Sequence, residues 1–475
     1  MFNFEILSKW AIEKPSSIAF ADEEHILTFA QLNSMARKTA AVLSQQGITQ
    51  GQLVCISLPS YLEWTTALAL HLMGVTTMSK IGTAAFSPQI SPDWLICLQP
   101  DPRISADKTI VIDEVYLERI KASVEMHDFP GYGDEEQPAR LFATSGTSGE
   151  SKYVAVTSSG LQEYVTRGGT HDFFGEEPVL SLFPLGMGTT YGRAIRCLHE
   201  GRAFFSCGFS DYRLPKILRL YPIKTLLGSP LQISAFLDAQ LNTGSELAHL
   251  ANIILSGSAP SDQLITRIRS QLNCKIYNGY GSTEGGSITM KEITDNDLEG
   301  SPINPVVELQ IVDEDDQILA PEQTGLIRYR RPGMSTSYYK NPQATAEFFK
   351  NGYFYPGDLG YVDSIGHLVL AGRTSEVINL GGVKVNPEKI DEVAIAQLGV
   401  IDCAAFAVMA PSGVEQLAIA VISDPDFNLE NFTKVMSKKL PWALKFIVPT
   451  NKIPRSESGK VLRHELQEEF RRQNG

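Results

Sequence analysis

Cysteine is scarce in this sequence, with six thiols in 475 residues. Cys55, Cys97, Cys197, Cys207, Cys274 and Cys403 are scattered, and no two form a C-x-x-C pair. That spacing excludes a disulfide scaffold and argues against a zinc site. Several lie in apolar runs such as Leu53-Val54-Cys55-Ile56, the setting of reduced thiols, so a cytoplasmic protein is expected. No uncharged apolar run reaches the roughly 18 residues that span a bilayer, and no membrane span is expected. Met1-Phe2-Asn3-Phe4-Glu5 offers no basic stretch leading into an apolar one, so no secretory leader is expected either. Positive charge is in deficit, with 41 Lys+Arg against 54 Asp+Glu and a net charge of −13. An acidic surface disfavours nucleic acid and anionic membranes as partners. Internal repeats and low-complexity tracts are absent.

What is present is ordinary globular composition, 43% hydrophobic and 20% charged. At roughly 150 residues per domain the length suggests about three domain-sized units. Thr28-Phe29-Ala30-Gln31 has capping-box spacing before Leu32, Ala36, Ala40 and Leu43, with Gly47 as the stop. Short apolar runs then alternate with helical patterns. Leu53–Leu58, Val179–Phe183, Ala203–Cys207, Thr225–Leu227, Ile253–Leu255 and Lys275–Tyr277 read as strands. Tyr61–Met73, Tyr191–His199, Tyr212–Leu220, Pro230–Leu241 and Ser261–Leu272 read as helices, which together argue for parallel α/β layers. After Gly286 short strands separated by Asp-, Gly- and Pro-rich turns predict a small β-rich subdomain, with Asp313–Asp316 as a solvated hairpin turn. Beyond Arg373 the pattern is a compact α+β tail, with Pro387–Gln397, Leu429–Lys439 and Val461–Arg472 as helices.

Four clusters carry chemistry. Thr144-Ser145-Gly146-Thr147-Ser148-Gly149-Glu150-Ser151-Lys152 combines glycines that let backbone N–H groups approach a phosphate, hydroxyl donors and one lysine. Its spacing is not that of a Walker A loop; a solvated Ser/Gly loop is the alternative. Asn278-Gly279-Tyr280-Gly281-Ser282-Thr283-Glu284-Gly285-Gly286 places an aromatic face beside a hard oxygen ligand suited to Mg²⁺, or is simply a strand-end turn. Tyr355-Pro356-Gly357-Asp358, with Arg373 after it, pairs an acceptor of sugar hydroxyl protons with a guanidinium. Ile453-Pro454-Arg455-Ser456-Glu457-Ser458-Gly459-Lys460 presents one lysine on a turn, and alone it is a weak signal.

In this order the four clusters resemble the acyl-adenylate-forming (AMP-binding) superfamily of acyl- and aryl-CoA ligases, peptide-synthetase adenylation domains and luciferases. The resemblance covers nearly the whole chain and includes Leu27–Leu32, Ser256-Gly257-Ser258-Ala259-Pro260 and Ile378–Lys384. It implies a large N-terminal domain of layered α/β subdomains with a small β-rich subdomain, residues 1–372. A small mobile α+β C-terminal domain, residues 373–475, would follow. The implied reaction couples a small carboxylic acid to ATP, giving acyl-AMP and pyrophosphate. The acyl group then passes to the phosphopantetheine thiol of coenzyme A or of an acyl carrier protein.

Residue by residue, the resemblance makes Thr144, Ser145, Gly146, Thr147, Ser148, Gly149 and Lys152 the phosphate loop. It makes Tyr280 and Gly281 the adenine platform, Thr283 the phosphate-contacting threonine and Glu284 the Mg²⁺ ligand. Ser258 and Ala259 would line the adenine and acyl site, Asp358 and Arg373 would hold the ribose, and Lys460 would bridge carboxylate and phosphate. Ser375 matches the hinge, and Gly381 and Gly382 the thiol channel. Gly186, Met187, Gly188 and Arg193 are candidates for the acid pocket; for Arg193 a plain helix-surface role is the alternative. The chain departs from the family at Ser151, Tyr153, Pro356 and Ser375. It also has no histidine near Met187 and no aspartate in Phe183–Gly188, which disfavours a free α-amino acid as substrate. The rival readings are a degenerate nucleotide-binding relative, and an adenylating enzyme whose acceptor is an amine or hydroxyl.

Overall fold

The computed structural model describes residues 2–80, 89–144, 151–166, 178–207, 213–241, 249–294, 300–374, 376–380, 383–410, 415–440, 444–456 and 459–474. Within them the chain is a mixed α/β protein built on several sheets. In the eight-stranded sheet Val179–Ser181, Thr225–Gly228, Asn252–Ser256 and Lys275–Ser282 run parallel and in register. Ser181, Leu227, Ile254 and Tyr277 therefore stand side by side in one row across four strands. Ser256, Gly279 and Met290 form a second row. The six-stranded sheet has five parallel strands, among them Leu53–Ser57, Thr76–Ser79 and Pro138–Thr144, and an antiparallel edge, Lys152–Thr157.

A seven-stranded antiparallel sheet holds Gly325–Arg330, Asp358–Val362 and His367–Arg373, where the change in texture after Gly286 predicted short strands. Past residue 377, a two-stranded ribbon and the three-stranded sheet Val400–Met409, Glu415–Ser423 and Leu444–Pro449 follow. Two hydrophobic clusters cover the two faces of that three-stranded sheet, and every residue in them comes from Ile378 onward.

Local rules account for many boundaries. The capping box forms as expected, with the Gln31 amide donating to Thr28 Oγ1 and the Thr28 amide to Gln31 Oε1, and the helix Phe29–Gln45 follows. Helix Ser60–Leu72 is buried on nearly all sides, which explains why its sequence has almost no polar stripe. All six cysteines are free, and burial pushes the Cys55 thiol up to about 12. Among the described residues no helix is long and apolar enough to cross a membrane.

Three boundaries differ from expectation. The strand Lys275–Ser282 continues through the glycine cluster, because Gly286–Glu292 folds back and pairs with it. Gly281 is required there, since a Cβ would lie 2.3 Å from the Gly286 carbonyl oxygen. The helix after Met187 starts at Gly188 instead of Tyr191. The C-terminal helix starts at Arg463, because Val461 is held in a bridge with Arg455. The acidic turn is also more than solvated, as Asp316 accepts from Tyr355 Oη at 2.9 Å.

The helix Gly188–Glu200 ends at Gly201, whose φ of 63° and ψ of 42° are left-handed. Trp10 closes over this end, its indole N–H donating to the Leu198 carbonyl at 2.8 Å. A Cβ on Gly201 would lie 2.6 Å from the indole ring. Gly201→Ala is therefore expected to cost about 2–4 kcal/mol, from the left-handed backbone and the displaced ring together. Gly47→Ala, at φ 97° with no atom within 4 Å of the new Cβ, should cost only the backbone share, about 1 kcal/mol. Denaturation of both variants checks this, and equal losses would remove Trp10 from the account.

Candidate active site

The parallel strands end in one cavity of about 420 Å³. Its floor is a face of the eight-stranded sheet, because Val179, Ser181, Leu227, Ile254, Ser256, Gly279 and Met290 all line it. Val179, Phe183, Leu227 and Ile254 belong to one apolar cluster, joined by Met187 and Met290, so this end of the cavity is apolar. Two of the polar groups buried beside it, Ser181 and Thr190, bond to each other at 2.7 Å. One wall is the first turns of helix Gly188–Glu200, where Gly188, Thr189 and Arg193 line the cavity and Arg193 is buried.

The other end is polar. Tyr280, Gly281, Thr283 and Glu284 come from the strand and turn that close the parallel sheet, and all line the cavity. The Tyr280 hydroxyl donates to Asp358 Oδ2 at 2.6 Å, and Arg373 Nε stands 2.7 Å from Asp358 Oδ1. One buried carboxylate thus ties the parallel sheet to the antiparallel one, where Asp358 and Arg373 are register partners. Burial, then the Asp358 carboxylate, pushes the Tyr280 phenol well above its usual value.

Thr144 and Lys152 face each other as the last register pair of their hairpin, and both line the cavity. The Lys152 ammonium stands 3.5 Å from the Phe348 ring centroid and 5.4 Å from that of Tyr338. Burial lowers its pKa, while Glu347 and Glu284 act to raise it.

Lys460 reaches the cavity from the far end of the chain. Its turn is closed by Ser456 N–H to the Lys460 carbonyl at 2.8 Å and by Arg455 Nη1 to the Gly459 carbonyl at 2.9 Å. Gly459, at φ 82°, approaches Ser229 so closely that a Cβ would lie 2.9 Å from its hydroxyl. Burial and the Arg373 guanidinium pull the Lys460 ammonium below the usual lysine value, against Asp358, Glu376 and Glu388.

Of the sequence-predicted residues, the cavity brings together Thr144, Lys152, Met187, Gly188, Arg193, Tyr280, Gly281, Thr283, Glu284, Arg373 and Lys460. Asp358 stands directly behind Tyr280 and Arg373. Gly186, Ser258 and Ala259 are not among the lining residues, although Ser256 and Gly257 of the same loop are. Ser145, Gly146, Thr147, Ser148, Gly149, Ser375, Gly381 and Gly382 lie outside the described residues. Sequence reasoning missed Tyr338, Phe348 and Ser335, which also line the cavity. The available signal was Asn341-Pro342, a capped helix start that fixes the Tyr338 segment, with Asn341 Oδ1 accepting from the Ala344 amide at 2.9 Å.

The chain is similar to known proteins along nearly its whole length. A long-chain-fatty-acid–CoA ligase of Escherichia coli O157:H7 is 24% identical over 95% of this chain and 92% of its own length. A 4-chlorobenzoate–CoA ligase of Arthrobacter sp is 24% identical over 98% of this chain and 94% of its own. The fold is shared with an O-succinylbenzoate coenzyme A synthetase from Bacillus subtilis, solved in complex with ATP and a magnesium ion. That likeness has a TM-score of 0.82 at 20% identity, over 97% of this chain and 99% of the other. The profile of the AMP-binding enzymes matches residues 7–78 and 96–339, so the chain, with its cavity between parallel strand ends and a C-terminal lysine, belongs to the AMP-binding enzyme family.

Proposed function

We propose that this protein is an ATP-dependent acid–thiol ligase that activates a carboxylic acid as its acyl-adenylate and passes the acyl group to a phosphopantetheine thiol. The observation that carries this reading is the convergence of Lys152, Tyr280, Thr283, Glu284, Arg373 and Lys460 on one cavity with an apolar end. Tyr280 offers a face to adenine, and Asp358 with Arg373 offers acceptor and donor to ribose. A substrate carboxylate oxygen attacks the α-phosphorus, the bond to the bridging oxygen breaks, and pyrophosphate leaves. Lys460 and Lys152 neutralise charge that grows on the phosphates as that bond breaks. The thiolate then attacks the acyl carbon and AMP departs.

Glu284 suits Mg²⁺ by its chemistry, a buried carboxylate at the cavity wall. Among the described residues no cluster of three or more His, Cys, Asp or Glu forms a cage. Glu284 would hold a cation brought in by the triphosphate. Bound there, Mg²⁺ would supply charge neutralisation on the triphosphate.

The acid has an apolar body, aliphatic or aryl. The carboxylates among the described lining residues are Glu284 and Glu347, and both act on Lys152 at the polar end. Neither stands where an α-ammonium would be held beside the apolar wall. Coenzyme A as acceptor is supported by the two CoA-ligase relatives. We place the domain boundary at residues 372 and 373, which the self-contained clusters beyond Ile378 support. Rotation of the tail about Ser375 would exchange Lys460 for Gly381 and Gly382 at the cavity.

Acid-dependent ATP–pyrophosphate exchange, screened over aliphatic, aryl and amino acids, tests the reading. Exchange is expected with an apolar acid, and none with any class would overturn it. Lys460→Ala should lower exchange by about 10²–10³-fold, as for loss of one charge-stabilising donor. Thioester formation from supplied acyl-AMP should survive, and equal loss of both half-reactions would refute a rotating tail.

A pH profile follows from Lys460. Its protonated form is the active one, and burial with Arg373 favours the neutral form. The alkaline limb of kcat/KM for ATP should therefore set in below the ordinary lysine value of 10.5. Lys460→Arg should remove that limb, because a guanidinium stays charged throughout. A limb at or above the ordinary value, or one that persists in Lys460→Arg, would exclude Lys460 as its origin.

A further inference from the structure

Glu284 is not left to orient itself. The Tyr338 hydroxyl donates to Glu284 Oε1 at 2.7 Å, and both residues are buried at the cavity wall. The backbone closes the same contact, with the Ser335 amide donating to the Glu284 carbonyl at 3.0 Å. Tyr338 is itself fixed on several sides. Its amide donates to Thr345 Oγ1 at 3.0 Å, its backbone bridges to Val154, and its ring meets Phe348 and Phe349 edge-on at 5.9 and 5.3 Å. Phe348 is also the ring beneath the Lys152 ammonium. One short segment, Ser335 to Phe349, therefore touches both the carboxylate and the lysine at the polar end.

A carboxylate on a glutamate can turn about its last torsion, which has broad minima. A donor locked onto one oxygen fixes the plane of the group and leaves the other oxygen to a ligand. No other side-chain hydrogen bond to Glu284 is present among the described residues. We propose that Tyr338 is a positioning residue that holds Glu284 for the divalent cation accompanying ATP, an inference that rests on the reading of Glu284 as the cation ligand. Partners of this kind tune metal affinity by about 10–100-fold where they have been removed from metal sites. The hydroxyl, not the ring, is the operative part, so Tyr338→Phe keeps the aromatic packing and deletes only the donor.

The test compares wild type, Tyr338→Phe and Glu284→Gln by isothermal titration with ATP, with excess Mg²⁺ and with the metal chelated, and with AMP alone. In wild type Mg²⁺ should tighten ATP binding. Glu284→Gln should abolish that gain. Tyr338→Phe should reduce the gain by about 10-fold, while AMP affinity, which needs no cation, stays as in wild type. A Tyr338→Phe protein whose Mg²⁺-linked gain equals that of wild type, while Glu284→Gln has lost it, overturns the role of Tyr338 alone. An unchanged gain in Glu284→Gln overturns the assignment of Glu284, and the proposal with it. Loss of AMP affinity in Tyr338→Phe would mark a merely structural residue and also count against positioning.

Discussion

The site hangs on one carboxylate. Asp358 accepts from Tyr280 with one oxygen and faces Arg373 with the other, and these partners belong to different sheets. That bridge fixes the flat face of Tyr280 relative to Arg373, and a second bond across the same two sheets, between Ser282 Oγ and Tyr329 Oη at 2.9 Å, shares the task. The geometry needs Asp358 charged and desolvated, a state that costs free energy unless its partners remain in place. Removing Arg373 strands a buried carboxylate, and removing the Tyr280 hydroxyl leaves its Oδ2 without that donor, so the bridge is a constraint on the fold as well as a feature of the site.

A second buried network holds the opposite wall. Arg140 is fully buried on the strand Pro138–Thr144, whose last residue pairs with Lys152 at the cavity. It meets Glu63 at 3.4 Å and bonds Ser79 and Thr77. Its guanidinium lies 4.3 Å from the Tyr191 ring centroid. Tyr191 sits on the helix whose first turns line the cavity, and His71 joins its hydroxyl to that of Tyr132. Burial and Arg140 push His71 well below its usual value, so it serves as a neutral connector between two hydroxyls. Burial raises Glu63 while Arg140 opposes it. The six-stranded sheet and the cavity helix are thus joined through directional polar groups set among apolar packing.

Much of this was legible in the sequence, and the reasons are specific. Period and punctuation located the strands and helices, since glycine stops and caps act within a few residues. Tyr280 and Glu284 were legible because they sit in a dense local cluster, whereas Arg373 and Lys460 became legible only through the resemblance carried by the four clusters in order. Tyr338 was not, because Tyr338-Tyr339 reads as core and its partner lies 54 positions away along the chain. Arg140 and Glu63 were equally hidden, 77 positions apart, and each alone looks like a surface charge. The continuation of the strand through Asn278–Ser282 failed for another reason. A glycine-rich run predicts a turn unless a neighbouring strand supplies the ladder, and that neighbour is defined only once the chain folds back at Gly286.

The tail raises a different physical question, namely what holds Lys460 at the cavity when its own core is elsewhere. Its hydrophobic clusters contain no residue before Ile378, so apolar burial does not anchor it to the body. What fixes the lysine locally is a turn braced by Arg455, whose guanidinium also bonds Asp402 on the edge strand Val400–Met409 at 2.7 Å. What meets the body there is Gly459 against Ser229, and nearer the start of the tail Asn386 Nδ2 donates to the Ala371 carbonyl at 3.2 Å. A lysine braced by Arg455 and carried by a tail whose apolar core is separate from the body is positioned without fusing the two cores. That combination is what a site needs if one cavity is to serve two half-reactions in turn.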